Sequence, residues 1–162
     1  MLTVPTFSTA RTEIAGQSIA DLVKSFGTPL YVYDISVVQQ RIADLAAFDR
    51  IRYAQKACSN LAILDRMRRK GVVVDAVSAG VIRRAIAAGF SPDPAKHEIV
   101  YTAYIFDREA LDLVVEHSLN VNCGSPDMIS QLGERRPGAE VTLRINPGFG
   151  HGHSQKTNTG GE

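Results

Sequence analysis

Apolar and polar positions along this chain follow two alternating periods. Short apolar runs rich in valine, isoleucine and tyrosine predict strands, and the segments after them carry apolar residues three or four positions apart, which predicts amphipathic helices. The five predicted strands are residues 51–57, 72–78, 97–103, 119–123 and 141–146. Their starts recur roughly every 20 to 26 residues, a rhythm typical of βα units. The pattern therefore predicts an α/β fold with a parallel sheet.

The stretch before residue 51 carries a different prediction. An amphipathic helix is expected from Ser18, with Gly27 after its end, followed by a short strand at 29–34. A helix from Ser36 to about Ala47 comes next.

Two architectures fit the βα rhythm, a doubly wound sheet and a (β/α)8 barrel. The dinucleotide fingerprint G-x-G-x-x-G is absent after strand 51–57, which weakens the nucleotide-binding alternative. A complete barrel requires at least about 200 residues, whereas the 162 residues here supply about five βα units. If the chain is a barrel, it is a partial (β/α)8 barrel. The glycine-rich stretch 147–162 fits both a flexible tail and a chain that stops inside a functional loop.

Composition excludes several classes of protein. The chain is 44% hydrophobic and 22% charged, with a formal net charge of +1, so no basic field indicates a nucleic-acid partner. No apolar run approaches the length of a membrane span, and the first residues show no secretion leader. Cys58 and Cys123 are few and far apart, which favours a reducing compartment and buried thiols rather than nucleophiles. We expect a cytoplasmic protein without nucleic-acid or membrane partners.

Lys56, in the stretch YAQKACSN, is the first candidate for chemistry. It stands at the predicted carboxyl end of strand 51–57, and that end of a βα architecture faces the active site. A deprotonated amine there would react with an aldehyde, whereas a strand-end lysine would simply extend to water. Position alone leaves both alternatives open. His151 and His153 lack a third ligand or a nearby carboxylate, so no metal site is expected.

Five stretches in order resemble one enzyme family. In chain order they are GTPLYVYD at 27–34, YAQKACSN at 53–60, VDAVSAG at 74–80, NCGS at 122–125 and LRINPGFGHGHSQKTNTGGE at 143–162. YAQKACSN resembles the Y-A-x-K-A-N stretch of fold-type III pyridoxal-phosphate enzymes, which have an alanine racemase-like, TIM-type barrel. The last looks like the diaminopimelate decarboxylases, in particular the branch typified by enteric bacteria. The resemblance covers nearly the whole chain, from about Gly27 to Glu162.

The resemblance implies specific roles. Lys56 would bind pyridoxal 5'-phosphate covalently, and Arg144 matches an arginine that approaches the phenolic oxygen of the cofactor, with an ion pair at the strand end as the alternative. Asp75 and Ser78, at the end of the second strand, would lie near the lysine, although Ser78 is also a natural helix cap. The implied reaction is decarboxylation of an amino acid, meso-diaminopimelate, to L-lysine in a homodimeric enzyme.

Departures from the family pattern limit that implication. Val81 stands where the family usually has a glutamate, which would disturb the surroundings of Lys56. A stacking histidine, a glycine-rich phosphate loop, an acid for the pyridine nitrogen and a C-terminal β-domain have no counterpart before Glu162. We therefore expect an N-terminal fragment, inactive alone: residues 1–34 would join the β-domain, and 35–162 would form an incomplete cofactor-binding barrel. The alternatives are a non-catalytic remnant and a related ornithine- or arginine-type decarboxylase.

Overall fold

The computed structural model describes residues 10–146 and 148, and the chain divides into two compact units between Ala47 and Phe48. The first unit contains a hairpin and two helices: β1 (Glu13–Ile14), β2 (Gln17–Ser18), α1 (Ile19–Phe26) and α2 (Ile35–Ala43). The Ser18 hydroxyl accepts a hydrogen bond from the Asp21 N–H, which confirms the predicted cap of α1. The predicted strand at 29–34 is wrong, because these residues belong to no strand and pair with none among the described residues. The predicted domain boundary after residue 34 stays a prediction.

The second unit is built on a parallel sheet. Its elements are β3 (Arg52–Ala54), α3 (Leu61–Arg68), β4 (Val73–Ala76), α4 (Ala79–Ala87), β5 (Ile99–Ala103), α5 (Arg108–Glu116), β6 (Asn120–Cys123), α6 (Pro126–Arg135) and β7 (Thr142–Leu143). The strands pair in sequential order, β3-β4-β5-β6-β7, and every pair is parallel. A doubly wound sheet reverses its strand order at a switch point. In a (β/α)8 barrel each strand instead pairs with the next one along the chain, as the strands do here. The structure thus confirms a partial barrel of five strands.

Four of the helices in this unit begin at a polar cap residue. Asn60, Ser78, Asp107 and Ser125 each accept a hydrogen bond from a backbone N–H in the first turn of α3, α4, α5 and α6 respectively. Such caps satisfy N–H groups that have no partner inside the helix. The side-chain pattern therefore sets where each strand-to-helix loop ends.

The core lies between the sheet and its helices. Alternate strand residues, including Val74, Ala76, Tyr101, Val121 and Cys123, face helix residues such as Leu64, Ile82, Val114 and Leu132. The ring of Tyr101 stacks on Phe106 with centroids 5.1 Å apart. Cys123 is buried as predicted, whereas Cys58 is only half-buried. Among the described residues, no helix has the length and hydropathy needed to span a membrane.

The opposite face of the sheet is polar. Because successive strand residues alternate between faces, Asp75, Thr102 and Asn122 point away from the helices. The Asn122 amide donates to the Thr102 hydroxyl oxygen at 2.8 Å, and the Thr102 hydroxyl donates to Asp75 Oδ1. This row of hydrogen bonds, the polar ladder, joins β6, β5 and β4.

Gly124 is required where β5 and β6 end. Its N–H donates to the Ala103 carbonyl oxygen at 2.9 Å. A Cβ at this position would lie 2.5 Å from that oxygen and 2.7 Å from Cδ1 of Tyr104. Since backbone atoms cannot give way as a flexible side chain does, any larger residue would separate the two strand ends.

Gly124→Ala is expected to lower the free energy of unfolding by about 1–3 kcal/mol, because the new methyl group overpacks the strand end. Gly133 in α6 has open space around its Cα, so Gly133→Ala is the matched control. It should raise stability by roughly 0.5–1 kcal/mol through helix propensity. Urea unfolding followed by circular dichroism measures both changes, and equal effects would contradict the close approach at Gly124.

Stability should also fall at alkaline pH through Tyr101. Burial, together with the nearby Asp107 carboxylate, raises the pKa of Tyr101 to about 12. In the unfolded chain a tyrosine ionises near pH ~10. The stabilisation is therefore complete below about pH 10 and is lost by about 1.4 kcal/mol per pH unit as the pH rises towards 12. Tyr101→Phe should reduce this slope to what Tyr53 and Cys123 contribute, because burial also raises the pKa of those two groups, while Tyr31→Phe, at a position 85% exposed, should leave it.

Candidate active site

Lys56 lies just beyond the carboxyl end of β3, and its side chain is exposed. The strand predicted for 51–57 is too long: it ends at Ala54, and Gln55–Ala57 form a 3₁₀ turn. Lys56 is therefore in a turn rather than at the last position of a strand. Among the described residues, its amine has no hydrogen-bond or ion-pair partner, so nothing described holds the side chain in one direction.

The backbone around Lys56 is fastened to α4 at two points. The buried Gln55 side chain donates Nε2 to the Val81 carbonyl oxygen at 3.0 Å. Arg84 donates Nη1 to the Ser59 carbonyl oxygen at 3.1 Å. Within the loop itself, the Ser59 hydroxyl donates to the Gln55 carbonyl oxygen at 3.0 Å. We call residues 55–60, with these bonds, the lysine turn.

Gln55 is the buried polar side chain of the described core, with no exposed surface. Its Nε2 must face the Val81 carbonyl, because the reverse orientation would set two oxygens against each other. Oε1 then has no hydrogen-bond partner among the described residues. A buried acceptor left unsatisfied costs about 1–3 kcal/mol. Sequence reasoning missed Gln55, although a glutamine directly before the candidate lysine was a visible signal.

Asp75 occupies the strand next to the lysine turn. It is half-buried on β4, opposite Ala54 in the register of the β3–β4 pair. The polar ladder ends on Asp75, since the Thr102 hydroxyl donates to its carboxylate. Burial lowers the pKa of Arg52 on the same sheet, and the charge of Asp75 partly opposes that change. The Thr102 hydroxyl on β5 thus orients the Asp75 carboxylate, and the negative charge of that carboxylate favours the charged form of Arg52.

Arg144 follows β7 at the other side of the sheet. Its N–H donates to the Cys123 carbonyl oxygen at 2.8 Å, which continues the pairing with β6. The guanidinium carbon lies 4.6 Å from the centre of the Tyr104 ring, a cation–π contact. No carboxylate among the described residues pairs with Arg144, so the alternative of an ion pair is not what the structure shows there. The guanidinium is exposed at the carboxyl edge.

The structure brings these groups to a common edge of the sheet. Lys56, Asp75 and Arg144 lie at the carboxyl ends of β3, β4 and β7, the edge at which βα architectures bind ligands. Ser78 belongs to the cap of α4, as its alternative role predicted. A cavity of about 310 Å³, lined by Arg52, His97, Asn120 and other residues, lies towards the opposite edge. Lys56, Asp75 and Arg144 are not among the residues that line it.

The available groups suit pyridoxal phosphate in part. An exposed primary amine matches the aldehyde, and a guanidinium that pairs with no carboxylate among the described residues matches an anionic oxygen. His151 and His153 lie outside the described residues. Within those residues, no group of three histidine, cysteine, aspartate or glutamate side chains could hold a metal ion. The donor set thus fits an organic carbonyl cofactor.

Comparison with known proteins agrees with that fit. Residues 34–162 match the family described as pyridoxal-dependent decarboxylase, pyridoxal binding domain. The chain is 52% identical over 151 residues to the diaminopimelate decarboxylase of Escherichia coli (strain K12), covering 93% of this chain and 36% of the relative. For the diaminopimelate decarboxylase of Streptomyces coelicolor, identity is 54% over 147 residues, covering 91% and 33%.

Solved structures give the same result. A crystal structure of diaminopimelate decarboxylase superposes with a TM-score of 0.79 at 55% identity, covering 87% of this chain and 34% of that one. The Helicobacter pylori diaminopimelate decarboxylase complexed with L-lysine superposes with a TM-score of 0.71 at 27% identity, covering 80% and 34%. The chain spans about a third of the length of the relatives it matches. With its sheet order, its lysine turn and the match over residues 34–162, the chain belongs to the pyridoxal-binding domain family of the pyridoxal-dependent decarboxylases.

Proposed function

We propose that this chain is the N-terminal part of a diaminopimelate decarboxylase, which converts meso-diaminopimelate to L-lysine and carbon dioxide. The observation that carries the proposal is the 52% identity to the Escherichia coli enzyme over 93% of the chain. The exposed amine of Lys56 at the carboxyl edge of the sheet supports it. The 162-residue chain alone is proposed to be inactive, since it spans only about a third of its active relatives.

Lys56, Arg144 and Asp75 are the residues proposed to hold pyridoxal 5'-phosphate. The Lys56 amine would bind the aldehyde covalently, and the Arg144 guanidinium would face the phenolic oxygen. Asp75, oriented by Thr102, would present its carboxylate to the cofactor from the strand next to the lysine turn. When bound, the cofactor supplies the electron sink that accepts the electron pair left on the α-carbon as carbon dioxide departs.

Two alternatives from the sequence remain distinct. A related ornithine- or arginine-type decarboxylase would share the lysine turn and differ in the substrate it accepts. A non-catalytic remnant would keep the fold without turnover, and Val81 in place of the usual glutamate is the feature that favours it. Activity on a panel of amino acids separates these alternatives from the main proposal.

Assembly and compartment are further parts of the proposal. A homodimer is expected for the full-length protein because the family resemblance implies a site completed by a second subunit. The low cysteine content, two residues in 162, suits the reducing cytoplasm. Sedimentation of the full-length protein would test the dimer.

The full-length protein with pyridoxal phosphate is expected to release carbon dioxide from meso-diaminopimelate, and much more slowly from ornithine or arginine. Lys56→Ala should reduce turnover to background, because no other described amine follows β3 at this edge. Lys70→Ala, which changes a lysine in the loop after α3, is the control and should retain activity. Borohydride reduction followed by peptide mapping should place the cofactor on Lys56. Faster turnover of ornithine would favour the related decarboxylase, and labelling without turnover would favour the remnant.

Thr102→Val tests the proposed role of Asp75. The change keeps the shape of the side chain and removes the hydroxyl that donates to the carboxylate. We expect the dissociation constant for pyridoxal phosphate to rise by roughly tenfold, which corresponds to one charge-assisted hydrogen bond of about 1.5 kcal/mol. Thr102→Ser retains the hydroxyl and should bind nearly as the unmodified protein does.

Thr142→Val is the matched control for that experiment. Thr142 lies opposite Asn122 in the β6–β7 register, on the same face of the sheet but outside the polar ladder. Its replacement should leave cofactor binding unchanged. Equal binding by the Thr102→Val and Thr102→Ser proteins would mean that the orientation of Asp75 does not matter for the cofactor.

A further inference from the structure

The lysine turn contains Gln55, a fully buried amide whose Oε1 has no hydrogen-bond partner among the described residues. We propose that Gln55 is a positioning residue for Lys56: it fixes the 3₁₀ turn against α4 and so sets the direction in which the amine is presented. The inference rests on the proposed function, in which Lys56 is the residue that binds the cofactor. It assigns to Gln55 a role that acts through its neighbour rather than by contact with substrate.

The burial of Gln55 indicates that stability is not the reason for an amide at this position. The side chain has no exposed surface, and only its Nε2 is satisfied, by the Val81 carbonyl at 3.0 Å. An unbranched apolar side chain of similar length would fill the same space without a buried, unpaired oxygen. Removing the amide also removes the unpaired oxygen, and the Val81 carbonyl, inside α4, keeps the backbone donor of the next helical turn. What the amide adds is a directional bond between the turn and α4.

That bond matters because Lys56 has no other described restraint. Its side chain is exposed, and its amine has no partner among the described residues. The direction of the Cα–Cβ bond is therefore set by the backbone of the turn. Gln55 is adjacent to Lys56, and its side chain reaches the first turn of α4, 26 residues further along the chain. A displacement of the reacting group by about 1 Å can lower a rate by about a hundredfold.

A second bond supports the same turn from outside the core. Arg84, exposed on α4, donates to the Ser59 carbonyl oxygen at 3.1 Å, near the end of the lysine turn. The two bonds hold opposite ends of residues 55–60 to one helix. Arg84 is thus the second residue of α4 that holds the lysine turn, and because its side chain is exposed, replacing it leaves no cavity in the core.

The test compares Gln55→Met with the unmodified full-length protein in two measurements. The first is the rate at which pyridoxal phosphate becomes fixed to the Lys56 peptide on borohydride reduction. The second is the melting temperature without cofactor. We expect labelling to fall by about tenfold or more, with a melting temperature that is unchanged or higher. Gln131→Met is the matched control: Gln131 also donates Nε2 to an oxygen, that of Asp127, but on α6.

The results separate this inference from the function on which it rests. Labelling of Gln55→Met at the rate of the unmodified protein would overturn the positioning role and leave the proposed function standing. No label on Lys56 in the unmodified protein would overturn both. If Gln55→Met lowers labelling and the melting temperature together, Arg84→Gln decides. Slower labelling at an unchanged melting temperature would support positioning, and labelling at the original rate would overturn it.

Discussion

The parallel pairing of consecutive strands is the constraint on which the rest of this structure depends. Because β3 to β7 pair in sequential order and in one direction, every strand delivers its carboxyl end to the same edge. Residues far apart in sequence, from Lys56 to Arg144, thereby reach one side of the sheet. The pairing also separates two faces, an apolar one packed on the helices and a polar one that carries the ladder from Asn122 to Asp75.

Much of this arrangement was predictable because its causes are local. The strand-to-helix rhythm and the caps at Asn60, Ser78 and Ser125 depend on side chains next to the backbone they organise, so the order of the elements from β3 to β7 was predicted correctly. Element ends were not: the helix predicted to reach about Ala47 ends at Ala43, and the strand predicted for 141–146 is Thr142–Leu143. The predicted strand at 29–34 failed because strand formation needs a pairing partner, which a single segment does not reveal.

The details of the site depended on contacts that no periodicity encodes. The strand before Lys56 was predicted too long because the 3₁₀ turn is held by Gln55 and Arg84 through residues of α4. The ladder through Thr102 likewise joins residues 27 and 20 positions apart. A motif identified Lys56 as a candidate, but only the folded chain shows which neighbours hold the backbone on either side of it.

The bond from Gln55 to α4 ends on the main-chain carbonyl oxygen of Val81. A residue of any type at position 81 would supply that oxygen. This anchor of the lysine turn is therefore a main-chain atom, whereas the Val81 side chain packs against the core. The glutamate that the family resemblance implies at position 81 would supply the same oxygen and place a charge in the first turn of α4. The valine of this chain therefore leaves the anchoring atom in place and changes only the side chain that the first turn of α4 presents.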